Sequence, residues 1–271
     1  LSNFNQDFGM VAYYANHFAT MFLKILSIKQ KSTYTVFDVG FNTGQFTRLT
    51  IKAFDQFKND GLVSKESKLE IFAFEPNFHL INASPKFENL KISNLALSDK
   101  QGNCTLYIPI MRNEPDDLEY GSKLHRNEYG GVYGISTLGE ERRDDIIKNI
   151  DNVRWQQLPV ETDTLDNFCL RNNISEIDWL KIDVEAFEKN VLVGSKRMLS
   201  EGRILAGQFE GDTKFNADVK ISTALGNNHS TQDFINECEI VLFDANYIPI
   251  ALPTSNRLVE NEFFFTTRKI W

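Results

Sequence analysis

Five short clusters along this chain have the residue types and spacing that chemistry needs. The first is Asp38-Val39-Gly40-Phe41-Asn42-Thr43-Gly44. It ends an apolar, β-branched run beginning at Tyr34 and precedes a helical pattern over residues 46–57. Two glycines let the backbone turn tightly and approach a ligand. The helix start beyond them offers free N–H groups to an acceptor. The Gly-xxx-Gly spacing is not the GxGxxG dinucleotide fingerprint, and no Lys-Ser/Thr follows as in a phosphate-binding loop. An Asp ahead of the glycines disfavours a pyrophosphate and suits a ligand with an ammonium or sulfonium group. The second cluster is Phe74-Glu75-Pro76-Asn77, closing the strand pattern 69–74. In open α/β sheets ligands lie beyond the carboxyl ends of the strands, where an acid accepts from vicinal ribose hydroxyls. The third, Asn94-Leu95-Ala96-Leu97-Ser98-Asp99, can form an adenine slot, with Leu97 against the ring and Ser98 at its edge.

The fourth cluster runs from Trp179 through Lys181, Asp183 and Glu185 to Glu188. Lys181 and Asp183 are two apart in the strand pattern 178–184 and so share a face. Buried strands seldom hold charges unless they are paired or functional. Glu185 stands at the strand–helix junction, and Glu188 reads as an ordinary helix-surface acid. The fifth, Gly207-Gln208-Phe209-Glu210-Gly211-Asp212, puts Glu210 on the face of Gln208. Asp183, Glu185, Glu210 and Asp212 together could bind a divalent cation through oxygen. No EF-hand spacing or His-rich cluster supports this, so no metal ligand is assigned. His17, His79, His125 and His229 are isolated, with His125 and His229 weak candidate bases. Each cluster also has a structural reading: a plain β–α turn, a solvated carboxylate, an internal salt bridge.

Alternating strands and helices must position these groups. Further strands are expected at 90–96, 103–108, 155–162, 204–209, 239–243 and 262–267, and helices at 163–172, 186–199 and 234–237. Such alternation argues a mainly parallel sheet covered on both faces. A tight turn around Asn246-Tyr247, before a last aromatic strand, predicts a C-terminal antiparallel hairpin. Residues 8–28 have helical spacing, with Phe18, Phe22, Ile25 and Leu26 on one face. That helix can cap the ligand cleft or form a dimer contact. We divide the chain into an N-terminal helical extension, 1–30, and one domain, 31–271. Residues 111–134 hold four glycines, Pro115 and many charges without a period, and read as a substrate-side insertion.

Composition bounds the function. The 271 residues are 42% hydrophobic and 24% charged, which excludes global disorder. A net charge of −8 argues against general binding to nucleic acid or anionic lipid. Cys104, Cys169 and Cys238 are far apart and form no CxxC, which predicts reduced thiols and a cytoplasmic setting. No apolar run approaches the roughly 20 residues of a membrane helix. The first residue is Leu1, so the native start or an upstream domain lies open.

In this order the clusters resemble the FkbM family of S-adenosylmethionine-dependent methyltransferases. The matching stretches are VFDVGFNTGQFT, FAFEPN, NLALSD, GISTL, VETDTLDNF and WLKIDVEAFEKNVLVG. The resemblance runs from about Tyr34 to the EFFFTT strand. It implies the class I methyltransferase fold, a Rossmann-like seven-stranded sheet whose last strand is antiparallel. It implies S-adenosyl-L-methionine as cofactor, held at Asp38, Gly40, Phe41, Asn42, Thr43, Gly44, Glu75, Pro76, Asn77, Leu97 and Ser98. A divalent metal is possible and is not assigned. Two positions depart from the family: Ala186 stands where Gly is common, and Phe41, where a smaller residue is usual, would narrow the cofactor cleft.

Family members largely methylate hydroxyls, often on sugars, so the expected acceptor is a glycan sugar hydroxyl, with a small natural product as alternative. Methyl transfer from sulfonium is an in-line displacement that needs an oriented acceptor and excluded water. Asp183 is the first candidate for base or orienting group. Glu185 and Glu210 come second, and Lys181 orients Asp183. A catalytically silent binding domain and a nicotinamide-dependent oxidoreductase are the rivals. Oligomeric state is not readable.

Overall fold

The strand Thr33–Val39 (β1) is central, and its burial says why its sequence does not alternate. Its last four residues are all buried, as expected of a parallel strand covered on both faces. The computed structural model describes residues 19, 22–111, 138, 153–185, 187–211, 234, 236–243, 249–250 and 261–267. After β1 come the helix Gln45–Asn59 (α1), the strand Lys68–Phe74 (β2), the short helix Phe78–Ala83 (α2) and the strand Leu90–Ser93 (β3). Next are Ala96–Leu97 (β4), Gly102–Met111 (β5), Val153–Asp163 (β6) and the helix Leu165–Arg171 (α3). Trp179–Ile182 (β7) leads to the helices Glu188–Val193 (α4) and Lys196–Ser200 (α5). Ala206–Gly211 (β8), Ile240–Phe243 (β9), Pro249–Ile250 (β10) and Asn261–Thr267 (β11) complete the order.

These strands build an eight-stranded sheet in the order β10-β9-β11-β8-β7-β1-β2-β3. The pairs β3–β2, β2–β1, β1–β7 and β7–β8 are parallel. The last strand, β11, lies between β8 and β9 and runs antiparallel to both. β10 is a two-residue edge addition antiparallel to β9, so seven strands carry the sheet. From β1 the chain builds outward to β2 and β3, then returns to β7 on the other side. Strand order therefore reverses between β1 and β7, where open α/β sheets bind ligands at the carboxyl ends of their strands.

Alternation along β1 divides the core. Phe37 and Val39 face one layer, in which Phe37, Phe72 and Phe74 meet Phe168 of α3, with ring centroids 4.7 Å apart for Phe74–Phe168. Tyr34 and Val36 face the other layer, with Phe54 and Phe57 of α1, Trp179 and Phe264. Residues 22–28 are helical, and Phe22, Ile25 and Leu26 are buried in this second layer. That part of the expected 8–28 helix packs on the sheet, while residues 1–18 lie outside the described residues.

Several expected elements differ in the structure. The run 90–96 is two strands, because Asn94 Nδ2 donates to the carbonyls of Glu75 and Pro76 and turns the chain. β3 stays in the main sheet, and β4 joins a second sheet, β4-β6-β5. There β5 and β6 form a long antiparallel ribbon, from Gly102 opposite Thr162 to Met111 opposite Val153. The strands expected at 103–108 and 155–162 are thus outside the parallel sheet. The helix expected over 186–199 is α4 and α5, broken at Gly194. A Cβ at Gly194 would lie 2.0 Å from the carbonyl oxygen of Ser98. α2 was not anticipated; the Asn77 side chain caps it by accepting from the His79 N–H at 3.1 Å. The turn at Asn246-Tyr247 and residues 112–134 of the insertion lie outside the described residues. The three cysteines are free thiols, and among the described residues no helix is long and apolar enough to cross a membrane.

Gly194→Ala tests this close approach. Overpacking against backbone costs about 1–3 kcal/mol, and we expect Tm to fall by roughly 2–10 °C. A thermal midpoint within one degree or so of the parent would mean that Ser98 yields freely.

Candidate active site

The site forms where β1 and β7 end side by side. Asp38 and Lys181 are register partners across that pair, and Gln208 of β8 is the next partner of Lys181. The three therefore form one row across the sheet, on the face covered by α1. Asp38 is fully buried. One carboxylate oxygen accepts from Thr47 Oγ1 of α1 at 2.7 Å, and the other lies 3.3 Å from Lys181 Nζ. Lys181, itself buried, also lies 3.3 Å from Asp183 Oδ2 and donates to the Gly40 carbonyl at 2.7 Å. A single ammonium thus ties together both strand ends and the first glycine of the loop.

The electrostatics follow from burial. Burial pushes the Asp38 carboxyl above its usual range, and Lys181 and Thr47 oppose that rise. Burial would lower the Lys181 ammonium, but Asp183 and Asp38 override it and hold it above its ordinary value. Lys181 is therefore a fixed cation.

The glycine loop is shaped by contacts that exclude a side chain. Gly40 has φ 79°, and a Cβ there would sit 1.7 Å from the Asp183 carbonyl oxygen. Asp183 N–H in turn donates to the Val39 carbonyl at 3.0 Å. Gly44 has φ 75°, and its missing Cβ leaves room for the Phe41 ring. Asn42 is left-handed at φ 51°, a conformation Asn tolerates better than most residues. Its N–H donates to Glu75 Oε2 at 2.8 Å, and Asn77 N–H donates to Glu75 Oε1 at 2.9 Å. Glu75 thus joins the loop after β1 to the turn after β2. Burial pushes its carboxyl up to about 7, against the pull of those two N–H groups and Lys181.

A cleft of about 110 Å³ opens beyond these strand ends. Of the expected site residues, Gly40, Asn42, Glu75, Pro76, Leu97, Asp183 and Glu185 line it. Leu80, Leu95, Ala96 and Leu106 supply an apolar wall beside Leu97. One side is therefore apolar and the other carries three carboxylates. The other expected residues are not among those lining it. Asp38 and Lys181 lie in the sheet row, and Asn77 is buried as the cap of α2. Thr43 is half-buried, and Gly44 carries the turn. Ser98 is held by its own contacts: its N–H donates to the Asp163 carbonyl at 2.8 Å and its hydroxyl to Asp99 Oδ1 at 2.9 Å. Phe41 does not narrow the cleft, because its buried ring packs against Gly44.

The backbone of Glu210 is in β8, opposite Glu262 of β11. The side chain of Glu210, and Asp212, Ala186, His17, His125 and His229 altogether, lie outside the described residues. Among the described residues no three His, Cys, Asp or Glu side chains gather to hold a metal ion. Glu188 corrects a sequence expectation. It is not a surface acid but is buried, with Oε1 accepting from Val184 N–H at 3.0 Å. Thr47 and Asn94 were also missed. Thr47 reaches back across the glycine loop to Asp38, and Asn94 reaches back across α2 to Glu75 and Pro76, contacts that no spacing within one element announces.

The buried row generates a stability prediction. Lys181→Met leaves Asp38 without its cation, and removing one partner of a buried pair costs about 3–5 kcal/mol. Asp38 then keeps a proton in the folded state that the unfolded chain releases near the ordinary Asp value, about 3.9. The loss is therefore expected to be larger at pH 8 than at pH 5. Urea unfolding at both values reads it, and equal losses would mean that Lys181 does not neutralise Asp38.

Comparison with known proteins matches this geometry to a family. Residues 38–216 match the methyltransferase FkbM domain. This span begins at Asp38 and takes in the glycine loop, Glu75, Lys181, Asp183 and Glu188. A 2-O-methyltransferase, NoeI, from Sinorhizobium fredii is 20% identical over 212 residues, covering 74% of each chain. No solved structure matches significantly. Because the matched domain spans well over half of its length, the chain belongs to the FkbM methyltransferase family.

Proposed function

We propose that this methyltransferase transfers the methyl group of S-adenosyl-L-methionine to a hydroxyl of a sugar in a glycan or glycoconjugate. One observation carries the proposal. Glu75 and Asp183 face a single cleft at the reversal of strand order, with an apolar wall beside them. The strand order, with β11 antiparallel between β8 and β9, supports reading the sheet as the class I methyltransferase arrangement. The name of the Sinorhizobium relative supports an oxygen acceptor.

The residues present fit the cofactor. Each Glu75 oxygen accepts one backbone N–H and keeps a lone pair for a ribose hydroxyl. Leu97, with Leu80 and Leu95, offers a flat apolar wall suited to adenine. Asn42 lines the cleft with a buried Oδ1 that has no hydrogen-bond donor, an acceptor suited to an ammonium group. Gly40 lets the Asp183 backbone close against the loop, which brings the 183–185 segment to the cleft. When bound, the cofactor supplies an electrophilic methyl on sulfonium. Asp38 acts from behind the cleft, holding Lys181 and, through it, the Gly40 carbonyl.

Asp183 is the group we assign to the acceptor. Its side chain is 47% exposed, which leaves it accessible while Lys181 fixes one oxygen. The free oxygen accepts the acceptor's hydroxyl proton or orients that hydroxyl for in-line attack. Glu185, on the same wall, is its neighbour in this role. A protein that binds the cofactor but turns over no hydroxyl compound would instead be a silent binding domain.

Three outcomes test the reading. Calorimetry with S-adenosylhomocysteine is expected to give roughly micromolar affinity, about −8 kcal/mol. No binding at millimolar ligand would end the cofactor assignment. Divalent metal is added in a parallel titration, and a metal-dependent affinity would bring the carboxylates forward as ligands. The affinity should also fall as pH drops below about 7, as Glu75 takes up its proton and ceases to accept from ribose. Glu75→Gln should bind more weakly and with a flat pH response; a parent response that is itself flat would remove Glu75 from the ribose site. Finally, Asp183→Ala is expected to keep affinity within about threefold and lose about 10²–10⁴-fold in kcat toward a sugar acceptor. Unchanged turnover would remove Asp183 from the mechanism.

A further inference from the structure

Past Ile182 the chain leaves the β7 ladder, and Asp183, Val184 and Glu185 turn along the cleft wall. This turn is held at three points. Asp183 N–H donates to the Val39 carbonyl, and the Asp183 carbonyl lies against Gly40. The third point is Val184 N–H, which donates to Glu188 Oε1 at 3.0 Å. Glu185, next in line, has φ 55°, which non-glycine residues seldom hold unless their surroundings impose it. Glu188 is the first residue of α4 and is only 3% exposed. Carboxylates are seldom buried so deeply without partners. Bonding a backbone N–H gives this one an interaction stronger than a neutral acceptor would make.

We propose that Glu188 is a positioning residue for methyl transfer. Its buried carboxylate fixes the 183–185 turn, so that Asp183 and Glu185 are presented to the cleft together. This rests on the reading of Asp183 as the acceptor-facing carboxylate. Glu188 itself touches neither acceptor nor cofactor in this account, so its loss should act on turnover and leave cofactor binding in place.

The test compares Glu188→Ala with Glu188→Gln in the full chain. Glutamine keeps a carbonyl oxygen for Val184 N–H, and alanine keeps none. Should the alanine variant not fold, Glu188→Met fills the space without an acceptor and replaces it. Hydrogen exchange at the Val184 amide is the direct readout. We expect it to be at least tenfold faster in the alanine variant and within threefold of the parent in the glutamine variant. The S-adenosylhomocysteine Kd should stay within threefold in both. With a methyl pyranoside that the parent methylates, kcat should fall twentyfold or more for alanine and be restored to within threefold by glutamine. The pH–rate profile should keep its shape. A merely structural role would lower Tm and the fraction of binding-competent protein, but not kcat per binding site. Unchanged exchange in the alanine variant, failed rescue by glutamine, or a displaced acid limb in the glutamine variant would overturn the proposal. If the parent methylates no pyranoside, the sugar assignment fails alone, and the same kcat comparison is made on a small alcohol or phenol that the parent does methylate.

Discussion

A cation buried between two parallel strand ends sets the geometry of everything at this cleft. Lys181 lies between Asp38 on β1 and Asp183 just past β7, and it also bonds the Gly40 carbonyl. Taking an ammonium and a carboxylate from water costs several kcal/mol per ion, and a pair seldom recovers more than that cost. The arrangement is therefore poor evidence for stability. Its consequence is geometric: two strands paired over four residues are locked in register and depth at their carboxyl ends, where the cleft opens. Thr47 extends the lock to α1, so the helix after the glycine loop cannot shift without uncovering Asp38.

The second constraint is steric. β1 and β7 approach so closely that the Asp183 carbonyl occupies the space of a side chain at Gly40. Glycine at position 40 is thus required twice, by its positive φ and by its neighbour. Glu75 then spans the loops after β1 and β2 through two backbone N–H groups. Together these contacts make this half of the cleft an assembly of main-chain positions.

That difference explains what the sequence could disclose. Asp38, the two glycines, Glu75 and the Lys181–Asp183 pair were legible because each follows a strand pattern at a spacing local chemistry demands. The strands of the sheet were legible through their apolar runs. Glu188 was misread because its helical spacing suits a surface acid, and only the return of the chain to Val184 shows it buried. Thr47 and Asn94 escaped for the same reason. The β5–β6 ribbon was seen as two separate strands, since antiparallel pairing across about forty intervening residues leaves no local signature. The close approach of Gly194 to the Ser98 carbonyl likewise joins residues nearly a hundred positions apart in the chain.

The ribbon also separates the fixed register of the cleft from a segment that can change without disturbing it. Its inner residues, Leu106, Ile108 and Val160, pack with Leu80 and Ala96, so its base is part of the cleft's apolar wall. Its far end, where Met111 faces Val153, leads into residues 112–152. A long segment entered and left at adjacent paired residues can change in length and composition without altering the register beneath it. Loop closure adds only slowly to the free-energy cost as such a segment lengthens. Such change leaves Glu75, Gly40 and Asp183 where the sheet puts them. A relative 20% identical can thus share the chemistry of methyl transfer with this chain and differ in the acceptor it serves.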